Sequence, residues 1–474
     1  MCIRDRLGCA NIARKNIRAI KRSKNCILLG IASRDMTKAK KFAIDNDLDD
    51  YVEIFGSYSD LLANEYISLI YLPLPTSQHL EWAIKVAAAG KHILIEKPCA
   101  LNSNDLVLIM NEFEKRGLIF MDGVMFMHNP IMNRLRSTLI DPFAGKIARM
   151  NSSFSFHGCG NFFVDNIRVK EDGDPLGALG DLGWYNIRLA LISFLQGKDI
   201  DIFSSLGKVE LKKLMLPRIV VAKSHHFNAN GVPLDCDAEI LFGNEEDEVK
   251  KIFRFDCSFL LPIRQTYEIS LTNNNGYCDK VISGKYFVLP RCPSEAKFEI
   301  ESGIAGYGDH ATRNLCNVEY ITENVLIDQE IEMFNTLGDI INNIHDEYRG
   351  LDEFDSNGNA RPETSYGFGL LAKKEITLEW IKRALYYKRI SLLTQIVVDA
   401  CYESLRNNSN HVQVNYEPFD KIYSFSELHK LVVPKRDSDN EDKCEDSGDK
   451  CEDNEDKSED NEDKSEDYDY ENEL

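Results

Sequence analysis

The chain has 474 residues, 43% of them hydrophobic, and a formal charge of −21. Residues 437–474 hold 20 Asp/Glu against 4 Lys, a net −16, so residues 1–436 carry only −5 and offer no basic footprint for nucleic acid. No run approaches the ~18 apolar residues of a membrane span, and 13 cysteines without a C-x-x-C pair or metal-ligand spacing read as thiols of a reducing, cytoplasmic compartment with no metal site.

At this length two domains plus appended segments are expected. Leu7 to Ala13 carry a glycine turn, G-x-A-x-x-A over Gly8, Ala10 and Ala13, opening a helix over about Asn11 to Ile20. Such a turn lets the backbone of Gly8, Ala10, Asn11 and Ile12 approach a pyrophosphate at the helix N-terminus. Met1 to Arg6 place three charges where the central strand of a parallel sheet should be apolar, so a scar in place of a lost first strand is expected there. Asn25 to Ala32 read as the second strand, ending in Ser33, Arg34 and Asp35. With Lys38 one helical turn on, Ser33 and Arg34 offer donors and positive charge that suit a 2′-phosphate. A capping Ser33 with solvated charges is the plainer alternative. Met36 to Asn46 form a helix, Val52 to Phe55 an edge strand and Ser68 to Leu74 a buried strand. Pro75-Thr76-Ser77 then turn into a helix over Gln78 to Ala89. His92 to Ile95 read as a strand buried on both faces, which puts Glu96 and Lys97 at its carboxyl end, where open α/β sheets bind ligands. Asn104 to Arg116 (helix) and Gly117 to Met121 (strand) complete the first domain, and the boundary falls near residue 125.

Residues 146–290 alternate apolar and polar in runs such as Ala148 to Phe156, Ile219 to Phe227, Ile252 to Phe259 and Thr266 to Leu271, the strands of a large, mostly antiparallel sheet. Within this region a Gly-rich approach, Gly177 to Gly183, leads into a helix on which Asp181 and Tyr185, four residues apart, share a face. From Lys435 a seven-residue acidic repeat begins at Asp442, Asp449, Asp456 and Asp463; it has no apolar seam and reads as a disordered tail. The ending Asn472-Glu473-Leu474 has Glu471 where an ER-retention signal carries a basic residue, so the ER lumen is not the expected location.

The blocks YLPLPTSQHLEWAIKVAAAG, GKHILIEKP and MDGVMFMHNP, in that order, resemble the glucose-fructose oxidoreductase/inositol dehydrogenase (Gfo/Idh/MocA) family of NAD(P)-dependent dehydrogenases, over roughly residues 7–345 and 392–415. Within it the resemblance is to the branch of trans-1,2-dihydrobenzene-1,2-diol and D-xylose dehydrogenases, since Tyr185 stands where inositol dehydrogenases tend to have His. The resemblance implies an N-terminal Rossmann domain over residues 1–125 and a substrate and dimerisation domain of α+β type over 126–434, with an insertion at about 346–390 and the tail at 435–474. Of the insertion, the first half reads as a polar surface excursion and Lys373 to Tyr387 as a helix, before the family pattern resumes in a helix over Leu392 to Leu405. It also implies that Leu74, Pro75 and Thr76 lie beside the nicotinamide ribose with His79 in the following helix, and that Glu96 and Lys97 meet the cofactor. His128, Arg168, Asp181 and Tyr185 are then the substrate residues, although many relatives have Arg where this chain has Met127. The open face of the large sheet would make a homodimer.

The resulting expectation is an NADP-linked dehydrogenase, NAD being the lesser choice, acting on a CH–OH carbon of a small sugar, polyol or diol. Lys97 and Tyr185 hold the reacting oxygen, the ammonium favouring the tyrosine phenolate, and either one is the formal base. Asp181 orients substrate hydroxyls or pairs Lys97. The competing reading is a catalytically silent relative that binds NADP(H) or a sugar as sensor or scaffold.

Overall fold

Short, strongly apolar runs give the first domain its sheet. In a computed structural model, which describes residues 2–7, 12–195, 211, 214–243, 251–273, 278–290, 295–303, 317–350 and 367–422, β1 (Cys2–Leu7), β2 (Cys26–Ala32), β3 (Glu53–Phe55), β4 (Leu69–Leu72), β5 (His92–Ile95) and β6 (Phe120–Asp122) pair in parallel in the order β3-β2-β1-β4-β5-β6. Helices α1 (Ile12–Arg22), α2 (Met36–Asp45), α3 (Tyr58–Ala63), α4 (His79–Ala88) and α5 (Ser103–Glu114) are the crossovers. All four residues of β4 and of β5 are buried, as a strand covered on both faces requires. The strand order reverses between β1 and β4. A crevice for a dinucleotide opens at such a reversal, beyond the strands' carboxyl ends, and Ser33, Leu74 to Thr76, Glu96 and Lys97 all follow strands on that edge.

Two expectations are corrected here. The central position is not lost: Cys2–Leu7 fill it, pairing with both β2 and β4, and the ladder with β2 shifts register between Arg4 and Asp5, amid the charges that made the strand doubtful. Ser33 is not the cap of α2. Asp35 is, its Oδ1 accepting from the amides of Thr37 at 2.8 Å and Lys38 at 3.1 Å, while Ser33 Oγ accepts from the Asp35 amide at 3.2 Å.

Helix α6 (Pro130–Ile140) leads into the second domain, a nine-stranded sheet ordered β14-β13-β12-β11-β7-β10-β9-β8-β15. Its strands are β7 (Lys146–Ser155), β8 (Pro217–Lys223), β9 (Asp235–Phe242), β10 (Lys251–Ser258), β11 (Arg264–Thr272), β12 (Cys278–Lys285), β13 (Glu295–Ser302), β14 (Asn317–Asn324) and β15 (Val412–Gln413). Every pairing is antiparallel except β7 with β10. Alternation sorts the faces: Met150, Phe154, Phe253, Phe255, Ile269, Ile282 and Phe298 are buried, whereas Arg149, Arg254, Glu268, Lys285 and Lys297 on the opposite face are exposed. That open face is thus charged rather than apolar, contrary to the surface expected of a dimer contact.

A short helix, α7 (Phe162–Asp165), follows β7; α8 (Trp184–Phe194) packs on β7 and β10 and the long helix Gly367–Arg406 on β8, whereas a second long helix, Gln329–Gly350, packs against α1, β1 and β2 of the first domain. The helix Gly367–Arg406 includes the expected Lys373 to Tyr387 helix. Its residues 367–390 run without a break into the expected Leu392 to Leu405 segment, making one 40-residue helix. Residues 351–366 and the acidic tail lie outside the described residues. Cys26, Cys99, Cys159, Cys236, Cys257, Cys278 and Cys401 are free thiols. Among the described residues there is no metal-holding cluster, and no helix is long and apolar enough to cross a membrane.

Candidate active site

β5 delivers Lys97 to the sheet edge, and the cis Lys97–Pro98 bond turns the chain beyond it. From the second domain a π-helical turn, Leu179–Gly183, runs directly into α8 and brings Asp181 to meet it. Such π turns recur at functional sites because they re-aim side chains within a helix. The approach is close enough to need a glycine: a Cβ on Gly180 would stand 2.6 Å from Leu176 Cβ and 2.9 Å from Pro98 Cγ. Lys97 Nζ donates to Asp181 Oδ1 at 2.5 Å and to the Asp181 carbonyl at 2.7 Å, and lies 4.8 Å above the ring of Tyr185. Arg168 Nε holds the other carboxylate oxygen of Asp181 at 2.9 Å. Lys97, Arg168, Asp181 and Tyr185 are therefore one cluster. Helix α8 is fixed from behind by a buried ion pair, Arg188 Nη2 to Asp122 Oδ2 at 2.5 Å, with Arg188 Nε donating to Thr394 Oγ1 at 2.7 Å.

Burial works against the Asp181 charge, but Arg168 and Lys97 outweigh it and hold the carboxyl at about 2. For Tyr185 the balance is opposite. Burial raises the phenol well above its ordinary value and the charges of Glu96 and Asp181 raise it further, so it stays neutral. The expected phenolate is thus corrected: Asp181, 2.5 Å from Lys97, opposes the ammonium field that was to stabilise it. The Tyr185 hydroxyl points at Met125 Sδ, 3.7 Å away.

Several partners of the cluster were not singled out from sequence. Tyr71 on β4 donates to Glu96 Oε1 at 2.5 Å, and Asn16 on α1 donates to Tyr71 Oη at 2.6 Å, so Glu96 is braced beside Lys97 while burial raises its carboxyl. Asp174 is the third. It is 5% exposed, accepts from the Thr76 hydroxyl, and is raised to about 7 by burial and then by the negative charge of Asp181, with Lys97 and Arg168 opposing.

The remaining expected residues divide. Leu74, Pro75 and Thr76 lie at the crevice edge. His79 does not face it. Buried, its Nδ1 lies 3.2 Å from the Cys99 carbonyl and its Nε2 2.9 Å from the Leu74 carbonyl, and burial lowers it to about 4, so it ties the turn after β4 to the turn after β5. His128 stacks on Tyr387 with ring centroids 5.2 Å apart and has Nδ1 3.3 Å from Thr336 Oγ1; burial lowers it to about 3. Its contacts are with the two long helices, away from Lys97. Ser33 is buried at the end of β2, with Arg34 and Lys38 exposed beside it. Gly8, Ala10 and Asn11 lie outside the described residues, and Ile12 begins α1. A cavity of about 630 Å³ opens elsewhere, lined by Met132, Asp256, Tyr267, Lys285 and Glu299, and none of the cluster lines it.

Residues 7–124 match the model of an oxidoreductase family with an NAD-binding Rossmann fold. Over these residues the chain resembles the Gfo/Idh/MocA oxidoreductase family. It is 31% identical to a dTDP-3,4-didehydro-2,6-dideoxy-alpha-D-glucose 3-reductase of Streptomyces violaceoruber, over 41% of this chain and 54% of that protein. It is 24% identical to human trans-1,2-dihydrobenzene-1,2-diol dehydrogenase, over 60% of this chain and 78% of that protein. The chain spans about half the length of the first curated relatives it matches. In three dimensions it resembles a 3-ketoreductase of Actinomadura kijaniata solved with NADP and TDP-benzene, with a TM-score of 0.60 and 21% identity over 86% of this chain and 97% of that one, a likeness of fold.

Proposed function

We propose that this chain is an NADP-linked oxidoreductase that interconverts an alcohol and a carbonyl on a small sugar, polyol or diol. The observation that carries the reading is the Lys97–Asp181 pair, 2.5 Å apart, at the carboxyl edge of β5 and over the Tyr185 ring. Fit to the cofactor rests on the reversal of strand order between β1 and β4, and on Ser33, Arg34 and Lys38, which offer a hydroxyl and two exposed positive charges where an adenosine 2′-phosphate would lie. The Asp35 carboxylate is engaged with the amides of Thr37 and Lys38 as the cap of α2. When bound, NADP supplies the acceptor or donor of the hydride.

The protein's part is to hold the reacting oxygen and its proton. An ammonium has three N–H donors. Two of those of Lys97 are spent on Asp181, which leaves one for a substrate oxygen. Asp181 and Arg168 fix that direction. In reduction Lys97 Nζ gives its proton to the forming alkoxide, and in oxidation it takes the proton back. Tyr185, kept neutral by burial, serves as a second hydroxyl donor on the same oxygen rather than as a base. Lys97→Met should lower turnover by roughly 10²–10⁴-fold and leave NADP affinity intact, read by nicotinamide absorbance with a panel of aldoses and trans-diols. Turnover unchanged in the variant, or absent in wild type across the panel, would refute the proposal.

A further inference from the structure

Asp174 lies in the loop between the Ile167–Val169 turn and the π turn that carries Asp181. Its amide donates to the Lys170 carbonyl at 2.9 Å, and its own carbonyl accepts from the Gly177 amide at 3.1 Å. Two bonds staple this loop to the turn after β4: the Ser77 amide donates to the Gly173 carbonyl at 3.1 Å, and Ser77 Oγ to the Asp172 carbonyl at 2.6 Å. The staple sets the Asp174 carboxyl against the Thr76 hydroxyl, within the field of Lys97, Arg168 and Asp181. Its Oδ1 is buried and has no hydrogen-bond partner among the described residues. Lys97 is spent on Asp181 and Arg168 Nε is turned to the same carboxylate, so no ion pair satisfies that oxygen. A buried carboxylate oxygen without a donor is costly, and groups of this kind are retained where a ligand completes them.

We propose that Asp174 Oδ1 is the acceptor for a second hydroxyl of the substrate, distinct from the one at the reacting carbon, and that it sets the requirement for a polyhydroxylated ligand. The inference rests on the dehydrogenase reading above. With Asp174 ionised, two cations already face two carboxylates, so the complementary group is a neutral O–H donor rather than an ammonium. Substrate is favoured over cofactor as its source. Asp174 belongs, with Arg168 and Asp181, to the 167–183 segment of the second domain, whereas the cofactor crevice is formed by strand ends of the parallel sheet. No bond is made or broken at Asp174; it orients the ligand.

The test uses the full chain with NADP present, D-xylose and its 2-, 3- and 4-deoxy forms as probes, and Asp174→Ala beside Asp174→Asn. In wild type one deoxy form should lose about 10- to 100-fold in kcat/KM and in calorimetric affinity, the worth of a hydrogen bond to a charged group. In Asp174→Ala, D-xylose and that deoxy form should become equivalent, and Asp174→Asn, which keeps an acceptor oxygen, should restore part of the gap. Loss on all four sugars alike, or loss in NADP affinity instead, overturns the assignment. Selective sugar binding without turnover overturns the dehydrogenase reading alone. Turnover with the same discrimination in wild type and Asp174→Ala overturns the role of Asp174 alone, and no binding of any of the four sugars overturns both.

Discussion

Replacing Asp174 with Asn should stabilise the protein, and more so as the pH rises. The carboxyl titrates at about 7 in the fold against 3.8 as its ordinary value, chiefly because it is buried. For an acid whose folded value is raised, the folded state binds more protons than the unfolded state. Stability is therefore lost as pH climbs from the unfolded value toward the folded one, and the whole cost is present above it. Between pH 5 and pH 8 the wild type should lose roughly 2–3 kcal/mol at this group, a loss the Asn variant escapes. At about 2 cal/mol/K of unfolding entropy per residue, a chain of this size shifts by roughly 1 °C per kcal/mol. The gap in melting temperature between variant and wild type should thus widen by about 2–3 °C from pH 5 to pH 8. Scanning calorimetry on both proteins in matched buffers reads it, and the other titrating groups largely cancel in the comparison. A gap independent of pH, or one that narrows, would mean that Asp174 ionises in the fold without penalty, and the physical case for an unsatisfied oxygen would fall with it.

Other consequences follow from the same geometry. Arg34→Ala should reduce the preference for NADP over NAD by about 10- to 100-fold, since charge-assisted hydrogen bonds to a phosphate are of that worth; paired kinetics with both cofactors reads it, and an unchanged ratio sinks the assignment of this strand end. Tyr185→Phe should cost less turnover than Lys97→Met, because it removes a neutral donor and leaves the ion pair in place; a loss equal to that of Lys97→Met would show that the tyrosine carries the proton. A homodimer formed through the open sheet face would join charged rows, Arg149, Arg254, Glu268 and Lys285 among them, so its mass in light scattering should fall toward the monomer as salt shortens the Debye length. A mass indifferent to salt speaks against that contact.

The parts of the site that sequence revealed are those whose chemistry is local. A β-branched run ending in Glu96-Lys97-Pro98 announces a lysine at a strand end. Asp181 and Tyr185 announce a shared helical face by spacing alone, and the π turn at Leu179–Gly183 does not spoil it because both side chains still reach Lys97. β1 was misjudged for a related reason. Charges at Arg4 to Arg6 argue against a central strand locally, but pairing on two sides outweighs local preference. Histidines show the limit from another side. His79 and His128 advertise titratable chemistry, yet each is buried and lowered, His79 between two backbone carbonyls and His128 against a ring and a hydroxyl from distant parts of the chain.

Tyr185 and Asp174 are the instructive cases, because both turn on which electrostatic effect is larger. Proximity of a lysine suggests an acidic phenol, but proximity counts only while the lysine's charge is unopposed. With Asp181 bonded directly to it, burial decides the outcome and the tyrosine remains a donor. For Asp174 the sequence offers only an acid between Gly173 and Pro175, a composition that reads as a solvated turn. Two hydrogen bonds from Ser77, almost a hundred residues upstream, pull that turn against the crevice and bury the carboxyl. The two aspartates then differ by environment and not by type. Asp181, held by two cations, sits at about 2 and fixes Lys97, while Asp174, with no cation bonded to it, sits at about 7. The first is satisfied by the protein alone. The second is satisfied only when a ligand brings a hydroxyl, which is why its cost in stability and its role in selectivity should appear and disappear together.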